Sequence, residues 1–257
     1  MEQGFRDDLR QSVVVTRNEL RKFLRGKKML LFGAVIAAVL ILLTVLPYLL
    51  GEGYQEEMTL SSVFITFVPL IIELAGILFT ATSLVSEYED RTALILFTRP
   101  IRKRSIFIGK LMASVIVMVV FSIFYYAFTI AFSHLVVGAC VDTMWKSFLL
   151  TFPGLYAVCG MSMLMSSIFK RGSTASIMTM IVMVLMISII VTIVAMFSNL
   201  PTWWGFEEAL NSILYSLGGF TGEVFSDPDL WRSAYVMVVW GTVTNILSYV
   251  IFRKRDF

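Results

Sequence analysis

Few side chains in this chain have the types and spacing that catalysis or metal binding requires. The chain contains one histidine, His134, and two cysteines, Cys140 and Cys159. These residues are too scattered for a zinc site or a thiol redox motif. We expect Cys140 in a loop and Cys159 inside an apolar segment, so no disulfide between them is predicted. No G-x-x-x-x-G-K-[ST] sequence occurs, so we expect no ATP hydrolysis by this chain.

Methionines recur in two short stretches, and thioether sulfur is a ligand for Cu(I). They are Met161, Met163 and Met165, followed by Met178, Met180, Met183 and Met186. The same spacing suits adaptable packing between helices, for which methionine is commonly used. We therefore predict no metal site.

Glu73 is the one charged residue in the long apolar stretch from Leu60 to Val85. An ionisable group at the centre of a bilayer costs at least about 2.5 kcal/mol on insertion scales, so it usually faces protein or water. Two interpretations stay open. Glu73 lies on a translocation path or at a proton or cation site, or it is protonated or hydrogen-bonded to a neighbouring helix and to the carbonyl freed by Pro69.

The composition of the chain indicates that lipid is its solvent. The 257 residues are 58% hydrophobic and 15% charged, with a mean hydropathy of +0.82. A typical soluble domain has roughly 25% charged residues. The formal net charge of +3 is small and gives no indication of a nucleic-acid partner.

Six apolar stretches are long enough to cross a bilayer, which requires about 20 helical residues. We therefore predict an all-α, polytopic membrane protein with a single transmembrane domain over residues 1–257. The predicted spans cover residues 29–50, 60–85, 105–137, 148–169, 174–197 and 232–252.

The distribution of basic residues predicts the orientation of these spans. All but two of the 21 Lys and Arg residues lie before the first span or after the second, fourth and sixth. Lys and Arg resist translocation more than acids do. Only Lys146 and Arg232 fall on the opposite side, where most of the tryptophans cluster. We therefore predict a multi-pass protein of the plasma membrane with both termini in the cytoplasm.

Residues 1–28 combine basic charge with a helical period. Apolar positions recur at steps of three and four, at Phe5, Leu9, Val13, Thr16, Leu20 and Phe23. An amphipathic helix of this kind lies against anionic headgroups on a membrane surface. The alternative is a basic flank that only sets topology, which requires the charges but not the period.

The loop over residues 86–104, between the second and third predicted spans, is the most informative stretch. It opens with acids at Glu87, Glu89 and Asp90 and continues with an apolar run. Pro100 ends that run, because the residue before a proline is disfavoured in a helix. An exposed apolar run between charges predicts a short cytoplasmic helix that docks another protein.

Three segments of this region resemble the signature between the second and third helices of type-2 ABC exporter permeases. They are Glu87-Tyr88-Glu89-Asp90-Arg91-Thr92-Ala93, then Thr98-Arg99-Pro100-Ile101-Arg102-Lys103, then Ile108-Gly109-Lys110. Arg91 stands where that family usually has glycine. The amphipathic N-terminal helix, the six spans and a broken segment before the sixth extend the resemblance over the whole chain.

The resemblance implies a permease that pairs with a second copy or a paralogue and docks two ABC ATPase subunits. ATP and Mg²⁺ would then bind to the ATPase subunits, and no cofactor is expected in this chain. The resemblance also implies that the loop contains the coupling helix. The residues expected to couple to the ATPase are Glu87, Glu89, Asp90, Arg91, Thr92, Leu94, Phe97, Arg99 and Pro100.

Residues 198–231, between the last two spans, carry an apolar helical stripe that Gly218 and Gly219 can end. This segment is either a re-entrant or interfacial helix, as the resemblance implies, or a plain outer loop. Two other functions also stay open. A non-transporting membrane anchor would use the docking loop without Glu73. An intramembrane enzyme would need more ionisable groups than one Glu and one peripheral His.

Overall fold

The computed structural model describes residues 2–51, 53–89, 102–197, 202–218 and 229–254. This part of the chain is helical and contains no strand. Six helical stretches are long and apolar enough to cross a membrane, which confirms the predicted all-α fold with six spans. The first to sixth spans are Lys27–Leu49, Glu57–Glu87, Lys103–Val136, Met144–Ile168, Gly172–Val194 and Leu230–Lys254.

Two further helices lie outside the spans. The N-terminal helix covers Glu2–Arg25, and the extended backbone of Gly26 (φ −82°, ψ 148°) separates it from the first span. A second helix, Phe206–Tyr215, precedes the sixth span and is called the inserted helix because it packs between spans. The predicted coupling helix falls on residues 90–101, which lie outside the described residues.

The second span is irregular along its length. Pro69 has no backbone N–H, so a continuous helix would lack one hydrogen bond, and the helix is interrupted at Phe67. A π-helical turn follows, and such turns inside α-helices often mark functional positions. The pieces are Glu57–Thr66, Val68–Ala75, the π turn Gly76–Thr80 and Val85–Glu89.

The fourth span is the centre of the bundle. Two thirds of its apolar stretch (67%) is buried, compared with 22% of the first span and 17% of the fifth. Membrane helices have little hydrophobic drive towards one another, so close packing depends on small residues. A Cβ on Gly160 would lie 2.7 Å from the carbonyl oxygen of Gly241, so these glycines let the fourth and sixth spans cross closely.

Small residues also place the second span against the fourth. A Cβ on Gly76 would lie 2.8 Å from Oγ of Ser162. Oγ of Ser166 accepts hydrogen bonds from the backbone N–H groups of Leu84 (3.1 Å) and Val85 (3.3 Å). Ser166 therefore satisfies donors that the irregular backbone leaves without helical partners.

Candidate coupling site

A buried lysine, Lys110, joins three elements at the end of the bundle that carries most of the basic residues, called the basic end. Lys110 lies about two turns into the third span, and its side chain is 1% exposed. Its Nζ donates to Oε1 of Glu19 at 2.5 Å, to Oε1 of Glu87 at 2.9 Å and to the carbonyl oxygen of Ser83 at 2.9 Å. An ammonium group has three donors, and all three are used.

The two acids of this Lys110 cluster (Lys110, Glu19 and Glu87) come from different helices. Glu19 belongs to the N-terminal helix and Glu87 to the last turn of the second span. Their side chains are 9% and 14% exposed. Buried charges are tolerated when they are paired and hydrogen-bonded. Because one ammonium group faces two carboxylates, removal of the lysine would leave two buried like charges side by side.

Gly109 allows the N-terminal helix to approach the third span closely enough for this pairing. A Cβ at Gly109 would lie 2.7 Å from Cβ of Val15 and 2.8 Å from the carbonyl oxygen of Ser12. Thr16 Oγ1 also donates to the carbonyl oxygen of Gly109 at 3.1 Å. Only a residue without a side chain fits this crossing.

The face of the N-terminal helix that packs against the bundle carries polar as well as apolar side chains. Ser12, Glu19 and Phe23 are buried, whereas Leu9 (50%) and Val13 (66%) are exposed. The physical reason is that the polar positions meet Gly109 and Lys110 of the third span. The exposed apolar side chains point away from the bundle, as those of a membrane-surface helix do.

Described residues on either side of the 90–101 stretch contact other helices of the chain. Glu87 precedes the stretch by three residues, and Arg102 follows it directly. Arg102 pairs with Asp8 of the N-terminal helix at 2.8 Å, but its side chain is 64% exposed, so this pair contributes little. Lys103 Nζ donates to the carbonyl oxygen of Arg253 at 3.2 Å, which links the third and sixth spans.

Glu89 lies at the N-terminus of the fifth span. Its Oε2 accepts a hydrogen bond from the backbone N–H of Gly172 at 3.0 Å. The first N–H groups of a helix have no partner within the helix, and the helix dipole favours negative charge there. Glu87 and Glu89 therefore connect the second span to the third and fifth spans, and Lys110 extends the connection to the N-terminal helix.

Glu73 lies 14 residues before Glu87, about 20 Å along the second span. It belongs to the piece Val68–Ala75, which packs against the inserted helix, and the charge of Glu207 on that helix reaches it. Glu207 also accepts a hydrogen bond from Oγ of Ser188 in the fifth span. Within the described ranges, the ion pairs involve other residues, and no cation contacts Glu73.

The inserted helix reaches well into the bundle. Phe206, Leu210 and Ile213 are buried, and side-chain carbons of Leu210 and Ile213 lie 3.1 Å and 3.4 Å from the position of a Cβ on Gly154. Gly154 is the eleventh residue of the 25-residue fourth span. Glu208, on the same helix, is partly buried. Its burial, and to a lesser extent the charge of the neighbouring Glu207, raises the pKa of Glu208 above the ordinary value of 4.5.

A family model described as ABC-2 family transporter protein matches residues 17–250. The chain belongs to the ABC-2 transporter family. It is therefore a multi-pass membrane component of a transporter, and the resemblance to type-2 ABC permeases is confirmed. The family implies, in general, dimerisation and association with ABC ATPase subunits. None of the curated proteins compared with the chain matches it.

Most of the coupling residues expected in this ABC-2 permease lie outside the described residues. The structure brings Glu87 to Lys110 and Glu89 to the fifth span, and it places Glu73 beside the inserted helix. The expected coupling residues beyond the described part are Asp90, Arg91, Thr92, Leu94, Phe97, Arg99 and Pro100.

The pairing of Glu19 with Lys110 in this permease was not predicted from the sequence, although two signals pointed to it. Lys110 falls inside the predicted third span, where an ionisable group needs a partner. Glu19 lies three residues after Thr16 and four before Phe23, on the apolar side of the N-terminal helix. A carboxylate in such a position is a natural candidate for that partner.

Proposed function

We propose that this permease is an exporter driven by a separate ABC ATPase subunit that docks on the 86–104 loop. The Lys110 cluster is the observation that supports this most, since it joins the N-terminal helix to the two spans that flank the loop. A displacement of the loop would reach all three helices at one point. Breaking such a buried pair is costly, so the three helices that the Lys110 cluster connects would move as a unit. We call this connection the joint.

The proposed complex contains two permeases and two ATPase subunits, and ATP and Mg²⁺ bind to the ATPase subunits. The second permease is a copy of this chain or a paralogue. The basic end and both termini face the cytoplasm, where the positive-inside bias places them. Leu94 and Phe97, three residues apart, would occupy a groove of the ATPase, and Asp90 and Arg99 would set the orientation.

The proposed substrate path passes between the second span and the inserted helix. Ionisable groups inside a membrane protein usually face a cavity or protein, and Glu73 and Glu207 lie on the two helices that border this path. A non-transporting membrane anchor would require neither of them. We therefore propose that Glu73 lines the path and that the substrate leaves beside the inserted helix.

Co-purification of the tagged chain from its native membrane, read by mass spectrometry, tests the partner. We expect a nucleotide-binding subunit in the complex. Phe97→Ala should reduce its recovery, whereas Leu24→Ala, at an exposed apolar position of the N-terminal helix, should not. Arg99→Ala should loosen the coupling of ATP hydrolysis to transport more than it weakens binding. Recovery of no nucleotide-binding subunit, with transport intact in proteoliposomes that lack ATP, would contradict the proposal.

Labelling of introduced cysteines tests the orientation. Glu56 and Lys170 are exposed at opposite ends of the bundle. In a background where Cys140 and Cys159 are replaced, Glu56→Cys should react with an impermeant thiol reagent from outside the cell. Lys170→Cys should react only after the membrane is opened. Reaction of both from the same side would overturn the orientation and the docking site with it.

A further inference from the structure

A cleft of about 260 Å³ lies between the N-terminal helix, the start of the first span and the basic end of the second span. Three lysines and three hydroxyl side chains are among the residues that line it. They are Lys22, Lys27, Lys28, Thr82, Ser83 and Ser86. Nothing in the proposed coupling mechanism uses these lysines.

Lysines outnumber acids among the described residues that line the cleft. Glu19 is the one acid among those residues, and its carboxylate is already paired with Lys110. Lys22 Nζ lies 3.2 Å from Oγ of Ser86, and Lys28 Nζ lies 2.7 Å from Oγ1 of Thr82. These contacts direct both ammonium groups across the cleft towards the second span.

The N-terminus of the first span opens at the same place. Gly26 is the N-cap residue of this 23-residue helix and lines the cleft, and it has no side chain to cap the first turn. The N–H groups and the dipole at a helix N-terminus favour an anion. The helix end and the lysines therefore favour the same kind of ligand.

Exposed apolar side chains lie close to these lysines along the chain. Leu24, Leu30 and Leu31 flank the lysines in sequence and are 66%, 78% and 55% exposed. A ligand with an anionic headgroup and acyl chains would use both surfaces, whereas a free anion would use only the charged one. Basic pockets between transmembrane helices on the cytoplasmic side suit phospholipid headgroups for this reason.

We propose that an anionic phospholipid of the cytoplasmic leaflet binds in this cleft, with its phosphate contacted by Lys22, Lys27 and Lys28. The leaflet rests on the orientation given under the proposed function, whereas the site itself does not. The bound lipid holds the N-terminal helix against the second span. Because Glu19 lines the cleft and belongs to the Lys110 cluster, and Ser83 lines the cleft and accepts a hydrogen bond from Lys110, membrane composition would affect how firmly that cluster is held.

Native mass spectrometry of the full chain, released from nanodiscs of phosphatidylglycerol and phosphatidylcholine, tests the site. We expect preferential retention of phosphatidylglycerol. Lys27→Gln, which removes no hydrogen bond within the described part of the chain, should raise the half-saturating phosphatidylglycerol concentration about fivefold. Lys22→Gln combined with Lys28→Gln should raise it about 25-fold if their contributions add. Lys170→Gln, an exposed lysine outside the cleft, is the matched control and should change nothing.

A second arm separates the lipid from a soluble anion. If millimolar inorganic phosphate displaces phosphatidylglycerol and protects Lys27 from acylation equally well, the ligand is a free anion and the lipid assignment is wrong. Equal retention of both lipids, or equal effects of Lys27→Gln and Lys170→Gln, would also overturn it. Because lipid counting requires no ATPase, failure of the proposed ATPase partnership would leave these results unchanged.

Discussion

At the basic end of the bundle two carboxylates share one buried ammonium group, whereas Glu73 and Glu207, on two helices that pack together, have no cation partner among the described residues. In the first region, every donor of Lys110 has an acceptor. In the second region, Glu207 has a hydroxyl partner, Ser188, and a neighbour of the same charge.

We interpret the first region as one that holds helices together and the second as one that changes during transport. A satisfied ion pair has little to gain from a further ligand, and separating its members is costly. Acids that face protein or a cavity inside a membrane protein without a basic partner often mark a substrate or ion path. We therefore expect changes at the basic end to affect stability and assembly, and changes at Glu73 to affect transport.

The most disruptive test of the comparison is Lys110→Met. This change leaves Glu19 and Glu87 buried together without a cation, and breaking a buried pair in this way costs about 3–5 kcal/mol. Thermal unfolding in detergent should show a large loss of stability. Restoring part of it with Lys110→Met/Glu19→Gln would show that repulsion, and not lost packing, is the cause.

The control for this prediction is Lys170→Met, at an exposed position of the basic end. Surface substitutions of this kind usually change stability by less than about 0.5 kcal/mol. If Lys110→Met and Lys170→Met were equally stable, the Lys110 cluster would not be the joint proposed.

A close crossing holds this joint together, so Gly109→Ala should loosen it. The new Cβ would lie 2.7 Å from Cβ of Val15, and relief of such a clash costs about 1–3 kcal/mol. The N-terminal helix should become more accessible to protease, and unfolding should occur at lower temperature. Gly33→Ala is the matched control, because its nearest neighbour is 4.0 Å away. Equal protease accessibility of the two variants would contradict the close crossing.

The spans could be predicted from sequence because each depends only on a local run of apolar residues. The Lys110 cluster could not, because its members are 91 and 23 residues from Lys110 in sequence and meet only after the helices pack. The loop motif predicted Glu87 as one of the residues that contact a partner, whereas its carboxylate turns towards the bundle. Long-range contacts of this kind leave no period in a sequence.

The irregular parts of the second span could likewise be predicted only in part from the sequence. Pro69 signalled a break in the second span, but the π turn at Gly76–Thr80 has no proline. Its position depends on Ser162 and Val158 of the fourth span, which contact the place where a Cβ of Gly76 would be. A helix distorted by its neighbour can be recognised only when the neighbour is known.

Glu73→Gln tests the second of the two regions compared above. The amide keeps the shape of the side chain and removes the repulsion with Glu207, so we expect a Tm shift of less than about 4 °C. Substrate-stimulated ATP turnover of the reconstituted complex, and its dependence on pH, should nevertheless change. Glu56→Gln, at an exposed acid outside this pair, should leave both unchanged. Unaltered turnover with a less stable protein would favour a packing role for Glu73.

The smallest expected effect concerns Glu208, which lies beside Glu207 but belongs to no span. Burial and Glu207 raise its pKa, so between pH 4.5 and the raised pKa the folded protein keeps a proton that the unfolded chain releases. Wild-type stability therefore falls as the pH rises through this range, and Glu208→Gln should remove that part of the fall. Because Glu208 is partly exposed, the Tm difference should be only about 1–2 °C at pH 7 and absent at pH 4. Asn211→Gln, on the same helix, controls for side-chain shape without a titrating group. A Tm difference that stays constant with pH would mean that packing, and not the carboxyl charge, distinguishes Glu208.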